Sequence, residues 1–112
     1  MLSHVVSMKF RPEVTKTDID ELDRMLEELP NIIVEIQMYE FGRDVLHTGR
    51  SYDYALVALF ANEEALQRYQ KHPDHLKVLE KLTALCENVI TVDFFGTDAG
   101  DFKDRSQLAS LP

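Results

Sequence analysis

A proline between two helical patterns limits what this chain can fold into more than any other feature. Residues 63–71 have helical spacing, and a second helical pattern begins directly after His72-Pro73. Pro73 has no N–H to donate and disfavours the α conformation at the residue before it, so one continuous helix is excluded here. The sequence therefore predicts two helices that meet at a corner, with Asp74 as the N-cap or a first-turn residue of the second helix.

Four segments have the apolar patterns of β-strands. The first alternates in character, with His4, Val6, Met8 and Phe10 on one face, and the third is almost free of polar atoms, which predicts a central position in the sheet. The second is rich in β-branched and aromatic residues. The four predicted strands are 4–10, 32–41, 52–60 and 88–95.

A further helix is predicted between the first two strands. Thr15 or Thr17 can cap it, and Pro30-Asn31 is predicted to end it. Its apolar stripe is Ile19, Leu22, Met25, Leu26 and Leu29. Asn62 is predicted to cap the helix before the corner. The buried stripe of the helix after the corner is predicted to be Leu76, Leu79, Leu82 and Leu85.

The order βαββααβ predicts an α+β fold of ferredoxin-like type, with a four-stranded antiparallel sheet and helices on one face. The uncovered face would expose apolar surface, so we expect two sheets to pack face to face in a homodimer, as a dimeric α+β barrel. Residues 1–96 form one predicted domain. Residues 97–112 differ in composition and are predicted to be a C-terminal tail, either frayed or packed on a neighbour.

Composition and cysteine usage exclude several classes of partner. The formal net charge is -8 without a cluster of Lys and Arg, so nucleic acid is not an expected partner. No apolar segment approaches the roughly 20 residues that cross a bilayer, so no membrane partner is expected. The lone Cys86 cannot form an internal disulfide, which predicts a reducing cytoplasm. No phosphate loop or cofactor anchor occurs, so no cofactor is predicted.

The ordered motifs of the chain resemble the stress-responsive dimeric α/β-barrel family over about residues 2–95. The resemblance implies a dimer whose two sheets form a barrel. Members of that family include heat-stable plant stress proteins, a plant polyketide cyclase and many bacterial proteins of unassigned activity. The resemblance is carried by His4 and a strand ending in Met8-Lys9-Phe10, by Gly42-Arg43-Asp44, by residues 52–60, by Tyr69 with His72-Pro73-Asp74-His75, and by Val92-Asp93-Phe94.

The resemblance also implies a small-molecule pocket between sheet and helices. By similarity to the cyclase, His75 is the predicted general base and Tyr69, about one helical turn before the corner, is its partner. His4 matches a further pocket histidine. Where the cyclase has glycines and aromatics that open a channel, this chain has residues 76–79, which are expected to fill that space. The predicted substrate-binding residues are His4, Val6, Leu56, His72 and Val78.

A neutral imidazole, with an ordinary pKa of about 6.5, can take a proton from an acidic carbon or a phenol, while a tyrosine hydroxyl donates to the oxyanion that forms. The predicted activity is that of a cofactor-independent cyclase, isomerase or oxygenase on a phenolic or polyketide-like compound. His72 and His75 are separated by a proline and lack a third ligand, so no metal is predicted.

The alternative is a non-catalytic, stress-associated structural oligomer. In that interpretation His75 caps backbone groups, Tyr69 and His4 fill the core, and His72 only precedes a structural proline. Both interpretations fit the sequence.

Overall fold

The computed structural model describes residues 1–97. Its sheet has the order β2-β3-β1-β4 with antiparallel neighbours, and α1, α2 and α3 lie against one face. The predicted ferredoxin-like α+β fold is confirmed, including the central position of β3. The predicted tail lies outside the described residues apart from its first. The elements are β1 (Leu2–Phe10), α1 (Lys16–Ile32), β2 (Met38–Arg43), β3 (Tyr54–Phe60), α2 (Glu63–Lys71), α3 (Pro73–Leu85) and β4 (Cys86–Phe95).

The core lies between the sheet and the helices. Alternate residues of β1, from Leu2 through His4 and Val6 to Met8, are buried on the helix side, as the period of a strand requires. Cys86, at the start of β4, is also buried and belongs to this core. The stripe predicted for α1 is confirmed, with three leucines fully buried: Leu22, Leu26 and Leu29.

The first helix begins as predicted but ends later. Thr15 is the N-cap, its hydroxyl accepts from the Asp18 N–H, and the Asp18 carboxylate accepts from the Thr15 N–H. The prediction that Pro30-Asn31 ends the helix is wrong, because α1 continues to Ile32. A proline in the last turn removes only one bond of the ladder. The following turn still closes, since the Ile33 N–H donates to the Leu29 carbonyl at 2.8 Å.

The second strand is shorter than predicted. Residues 32–37 lie outside β2, which begins at Met38. Ile33 is buried at the end of α1, whereas Val34 is 85% exposed. The β-branched residues of this segment lie in the last turn of α1 and in the turn after it. The burial of Ile33 against the core outweighs their strand propensity.

The buried stripe predicted for α3 is half wrong. Leu82 and Leu85 are buried, but Leu76 and Leu79 are 51% and 42% exposed. The buried positions that precede Leu82 are His75 and Val78. α3 begins at Pro73, and its rotation about its own axis places His75, and not Leu76, toward the sheet.

The sheet face that carries no helix is apolar. Its central residues Val5 and Val57 are half-buried by their neighbours, and its side chains on the edge strand β4 are about half exposed. Those β4 side chains are Ile90, Val92 and Phe94. Within residues 1–97, no helix is both long enough and apolar enough to cross a membrane.

Candidate functional site

The corner between α2 and α3 is held by His72. The ring Nδ1 of His72 accepts from the Asp74 backbone N–H at 3.1 Å, and the backbone N–H of His72 donates to the Tyr69 carbonyl at 3.1 Å. His72 is therefore the N-cap of α3, and Asp74 lies in the first turn. Asn62 caps α2 in the same way, as predicted, by accepting from the Ala65 N–H.

His75 lies in the first turn of α3 and faces the sheet. It is 7% exposed, and its Nδ1 lies 3.1 Å from the Gln70 carbonyl oxygen. A carbonyl can only accept, so Nδ1 carries the hydrogen and Nε2 of the neutral ring keeps its lone pair. Burial lowers the pKa of His75, and the nearby His4 and His72 rings act in the same direction, against the bond to Gln70. His75 is therefore a neutral base at pH 7.

A cavity of about 220 Å³ lies between the sheet and the helices beside His75. Of the residues predicted for the site, the fold brings all but His72 to this cavity; its side chain serves the corner instead. Residues 76–79 were expected to fill this space. Leu79 does border it, but a cavity remains open. The predicted residues on its wall are His4, Val6, Leu56, Tyr69, His75 and Val78.

Two tyrosines meet at one end of the cavity. The Oη atoms of Tyr39 on β2 and Tyr69 on α2 lie 2.7 Å apart. The ring of Tyr69 is 4.2 Å from that of His75, measured between centroids. Burial raises the pKa of Tyr69 to about 12 and that of Tyr39 further. At neutral pH both hydroxyls therefore keep their protons and act as hydrogen-bond donors.

The second cavity histidine is paired with a carboxylate. His4 on β1 lies opposite Asp93 on β4, and its Nδ1 is 2.5 Å from Asp93 Oδ1. The carboxylate fixes the orientation of the ring in the manner of an Asp-His pair and directs Nδ1 away from the cavity wall. His4 also meets the ring of Tyr69 edge-on, with centroids 6.1 Å apart.

The second ring nitrogens of His4 and His75 have no hydrogen-bond partner within residues 1–97. No fully buried side-chain nitrogen or oxygen of these residues lacks a partner, so each Nε2 must be accessible to some degree, and both rings border the cavity. Within residues 1–97 no three His, Cys, Asp or Glu side chains are grouped to hold a metal ion.

The sequence reasoning missed two residues of this arrangement, Tyr39 and Asp93. Asp93 could have been found, because the first and last strands are neighbours in a ferredoxin-like sheet and His4 begins one where Asp93 ends the other. Tyr39 gave no such signal. Both faces of this strand carry apolar residues, so the alternation alone does not show which face the helices cover.

Comparison with known proteins agrees with this architecture. The model of the stress responsive A/B barrel domain family matches residues 2–95. The stress-response A/B barrel domain-containing protein HS1 of Arabidopsis thaliana is 27% identical over 97 residues, covering 83% of this chain and 87% of the relative. Olivetolic acid cyclase of Cannabis sativa is 24% identical, covering 83% of this chain and 94% of the cyclase.

A solved structure is also similar. The crystal structure of a dimeric ferredoxin-like protein of unknown function from Thermobifida fusca has a TM-score of 0.77 and 29% sequence identity. The similarity covers 83% of this chain and 88% of that protein. With a family model that spans nearly all the described residues and a matching fold, this chain belongs to the stress responsive A/B barrel domain family.

Proposed function

We propose that this protein is a homodimer in which each subunit binds a small phenolic or polyketide-like compound. His75 acts as the general base and Tyr69 donates a hydrogen bond to the oxygen on which negative charge develops. His4, Val6, Leu56 and Val78 contact the compound. His72 serves the site indirectly, by capping the helix that carries His75.

One observation carries this proposal: the tautomer of His75. The Gln70 carbonyl holds the hydrogen on Nδ1, and the lowered pKa keeps the ring neutral, so the Nε2 lone pair is available at pH 7. A base in that state, at hydrogen-bonding range of a bound compound, is what general base catalysis requires.

The reaction step needs only groups of the chain. Nε2 takes the proton from an acidic C–H or a phenolic O–H, and the electron pair of that bond moves onto the ligand oxygen as an enolate or phenolate. Tyr69, which stays protonated, donates to that oxygen. The protonated His75 then returns the proton to the product, so the enzyme ends in its starting state. Ring closure or isomerisation of the activated compound follows from which carbon is attacked.

The cavity size limits the compound. An apolar protein cavity of about 150 Å³ holds one benzene ring. A volume of about 220 Å³ therefore accommodates a single ring with small substituents. Leu79 and Leu82 on α3 also line this cavity, so it has little room for a long alkyl tail.

The homodimer is supported by the uncovered sheet face. Val57, Ile90, Val92 and Phe94 form a continuous apolar surface, and covering such a surface is favourable at about 25 cal/mol per Å². The similar protein of Thermobifida fusca is described as dimeric. A second copy of this chain provides the complementary surface by symmetry.

The free thiol of Cys86 supports a reducing compartment such as the cytoplasm.

The test is proton exchange at an activated carbon. Ethyl acetoacetate in D₂O loses its CH₂ signal as deuterium is incorporated, which proton NMR follows as an initial rate. We expect the protein to accelerate this exchange, His75→Gln to reduce the enzyme-dependent rate about 100-fold, and Tyr69→Phe to reduce it by a comparable factor.

His47→Gln is the matched control, because the side chain of His47 is exposed and far from the cavity in the β2–β3 loop. It should exchange protons at the wild-type rate. If wild type, His75→Gln and buffer give the same rate, the proposed chemistry is wrong, and the histidines and tyrosines of the cavity serve the stability of a non-catalytic oligomer.

A further inference from the structure

We infer that Tyr39 is a positioning residue that determines ligand selectivity. Its hydroxyl donates a hydrogen bond to Tyr69 Oη, so the hydroxyl proton of Tyr69 is left to donate to a ligand in the cavity. This end of the cavity then accepts only a ligand atom that receives a hydrogen bond, such as a carbonyl or enolate oxygen. The inference rests on the proposed function, since it concerns the same ligand.

The proton count of the pair is the basis of this inference. Two hydroxyls have two protons, and the 2.7 Å contact between their oxygens uses one of them. Only one proton remains for a third group. If Tyr69 donated to Tyr39, the free proton would belong to Tyr39 and the cavity would face the lone pairs of Tyr69. If Tyr39 donates, the free proton belongs to Tyr69.

The surroundings of the two hydroxyls favour the second arrangement. Tyr69 is 2% exposed, and within residues 1–97 its hydroxyl has Tyr39 as its hydrogen-bond partner, while its side chain borders the cavity. His75, whose Nε2 keeps a lone pair, borders the same cavity with its ring 4.2 Å from that of Tyr69, so the cavity favours a proton there. Tyr39 is less buried and lies on the edge strand β2, where its oxygen is closer to water than that of Tyr69.

The two phenols differ in acidity. Burial raises the pKa of both, and the hydrogen bond between them lowers the pKa of Tyr69 and raises that of Tyr39. A hydroxyl that receives a hydrogen bond gives up its own proton more readily, so Tyr69 becomes the stronger donor toward the ligand.

The two polar groups of the cavity therefore differ in what they accept. His75 Nε2 takes a donor, such as a phenolic O–H or an acidic C–H, and the tyrosine pair requires an acceptor. A compound with a hydroxyl at one position and a carbonyl at another satisfies both groups. A diol of the same size leaves one hydroxyl proton without a partner, which costs affinity.

Two single-ring probes distinguish these cases, 3-hydroxyacetophenone and resorcinol, with dissociation constants measured by isothermal titration calorimetry. Wild type should prefer the ketone. In Tyr39→Phe the Tyr69 oxygen is released and can accept from a hydroxyl, so the ratio of the resorcinol to the ketone dissociation constant should fall about fivefold. Tyr54→Phe is the matched control, because it removes a buried hydroxyl that binds Asp23 away from this cavity, and the ratio should stay at its wild-type value.

The outcomes separate this inference from the function on which it rests. If both probes bind wild type and weaken in His75→Gln, but the ratio is the same in Tyr39→Phe as in wild type, Tyr39 has only a structural role and the inference is wrong while the site stands. A loss of thermal stability in Tyr39→Phe without a change in the ratio also means that the role of Tyr39 is structural. If neither probe binds wild type at millimolar concentration, the ligand class proposed for the cavity is wrong and the inference fails with it.

Discussion

The two faces of the sheet are formed by the same strands but differ in the side chains that they carry. On the helix-covered face of β1 and β3, His4 and Tyr54 are buried polar residues, and each is paired with a carboxylate. On the other face, Val5 and Val57 occupy the alternate positions of the same strands and carry no polar atoms. Successive side chains of a strand point to opposite faces, so two environments can be specified by one alternating sequence.

This difference shows which face of the sheet carries buried polar groups whose burial costs free energy. Burying a hydroxyl or imidazole costs free energy unless a partner satisfies it, and on the covered face every fully buried side-chain polar atom of the described residues has one. The valines of the uncovered face need no such pairing. In the proposed homodimer this face is covered by the same face of the second subunit.

The largest effect is expected from a charge on the uncovered face. Val57→Asp would place a carboxylate in the centre of each sheet of the proposed dimer, where it has no cationic partner. An uncompensated buried charge costs about 4 kcal/mol, equivalent to ~1,000-fold in the dimer dissociation constant. We expect analytical ultracentrifugation at micromolar concentration to find a monomer.

Val45→Asp is the control for this change, since Val45 is 82% exposed in the β2–β3 loop. That variant should sediment as the wild type does. If Val57→Asp remains dimeric, association must use another surface, and the uncovered face is not the interface.

A smaller effect is expected from the polar pairs of the covered face. Tyr54 is 1% exposed, and its hydroxyl donates to Asp23 Oδ1 at 2.6 Å. Asp23 also accepts from Arg43, so Tyr54→Phe removes one bond to a charged group without leaving the carboxylate alone. The free energy of unfolding in urea should fall by about 2 kcal/mol.

Tyr52→Phe, two residues earlier, removes a hydroxyl whose contact with Asn88 is exposed. Its effect on unfolding should be clearly smaller than that of Tyr54→Phe. Equal losses for the two variants would mean that burial does not set the value of these hydrogen bonds, and the contrast between the faces would lose its energetic basis.

The parts of this architecture that follow from sequence are those fixed by local covalent chemistry. Pro73 lies at the first position of α3 and His72 before it is extended, so the helices break there, and the strand pattern of β3 has no competing interpretation. The corner in turn places Tyr69 and His75 near each other. The neighbourhood of these two residues could therefore be predicted from the sequence, whereas their roles were inferred from the resemblance to the cyclase.

The parts that failed depend on how elements rotate and where they stop. Four leucines at positions 76, 79, 82 and 85 suggest a single stripe, yet burial selects His75 and Val78 in place of the first two. The β-branched run at 32–37 has strand propensity, yet Ile33 is buried at the end of α1. Tyr39 could not be assigned to the cavity from its strand alone, because a strand with apolar residues on both faces does not show which face the helices cover.

The smallest effect is expected from the charge state of His75, and it too distinguishes the faces. Burial lowers the pKa of His75 in the folded protein below its ordinary value of about 6.5, so the unfolded chain binds more protons as the pH falls through that value. Stability from this group is therefore fully present above about pH 6.5 and is lost toward lower pH, with a slope of up to ~1.4 kcal/mol per pH unit.

His75→Gln removes that dependence while it leaves His4 and Asp93 in place. In urea unfolding between pH 7.5 and pH 5, the difference in free energy of unfolding between wild type and His75→Gln should shrink as the pH falls. His47→Gln should leave the wild-type pH profile unchanged, since the His47 side chain is 79% exposed. Parallel profiles for wild type and His75→Gln would show that His75 is protonated as readily in the folded protein as in the unfolded chain, so that burial on the covered face does not lower its pKa.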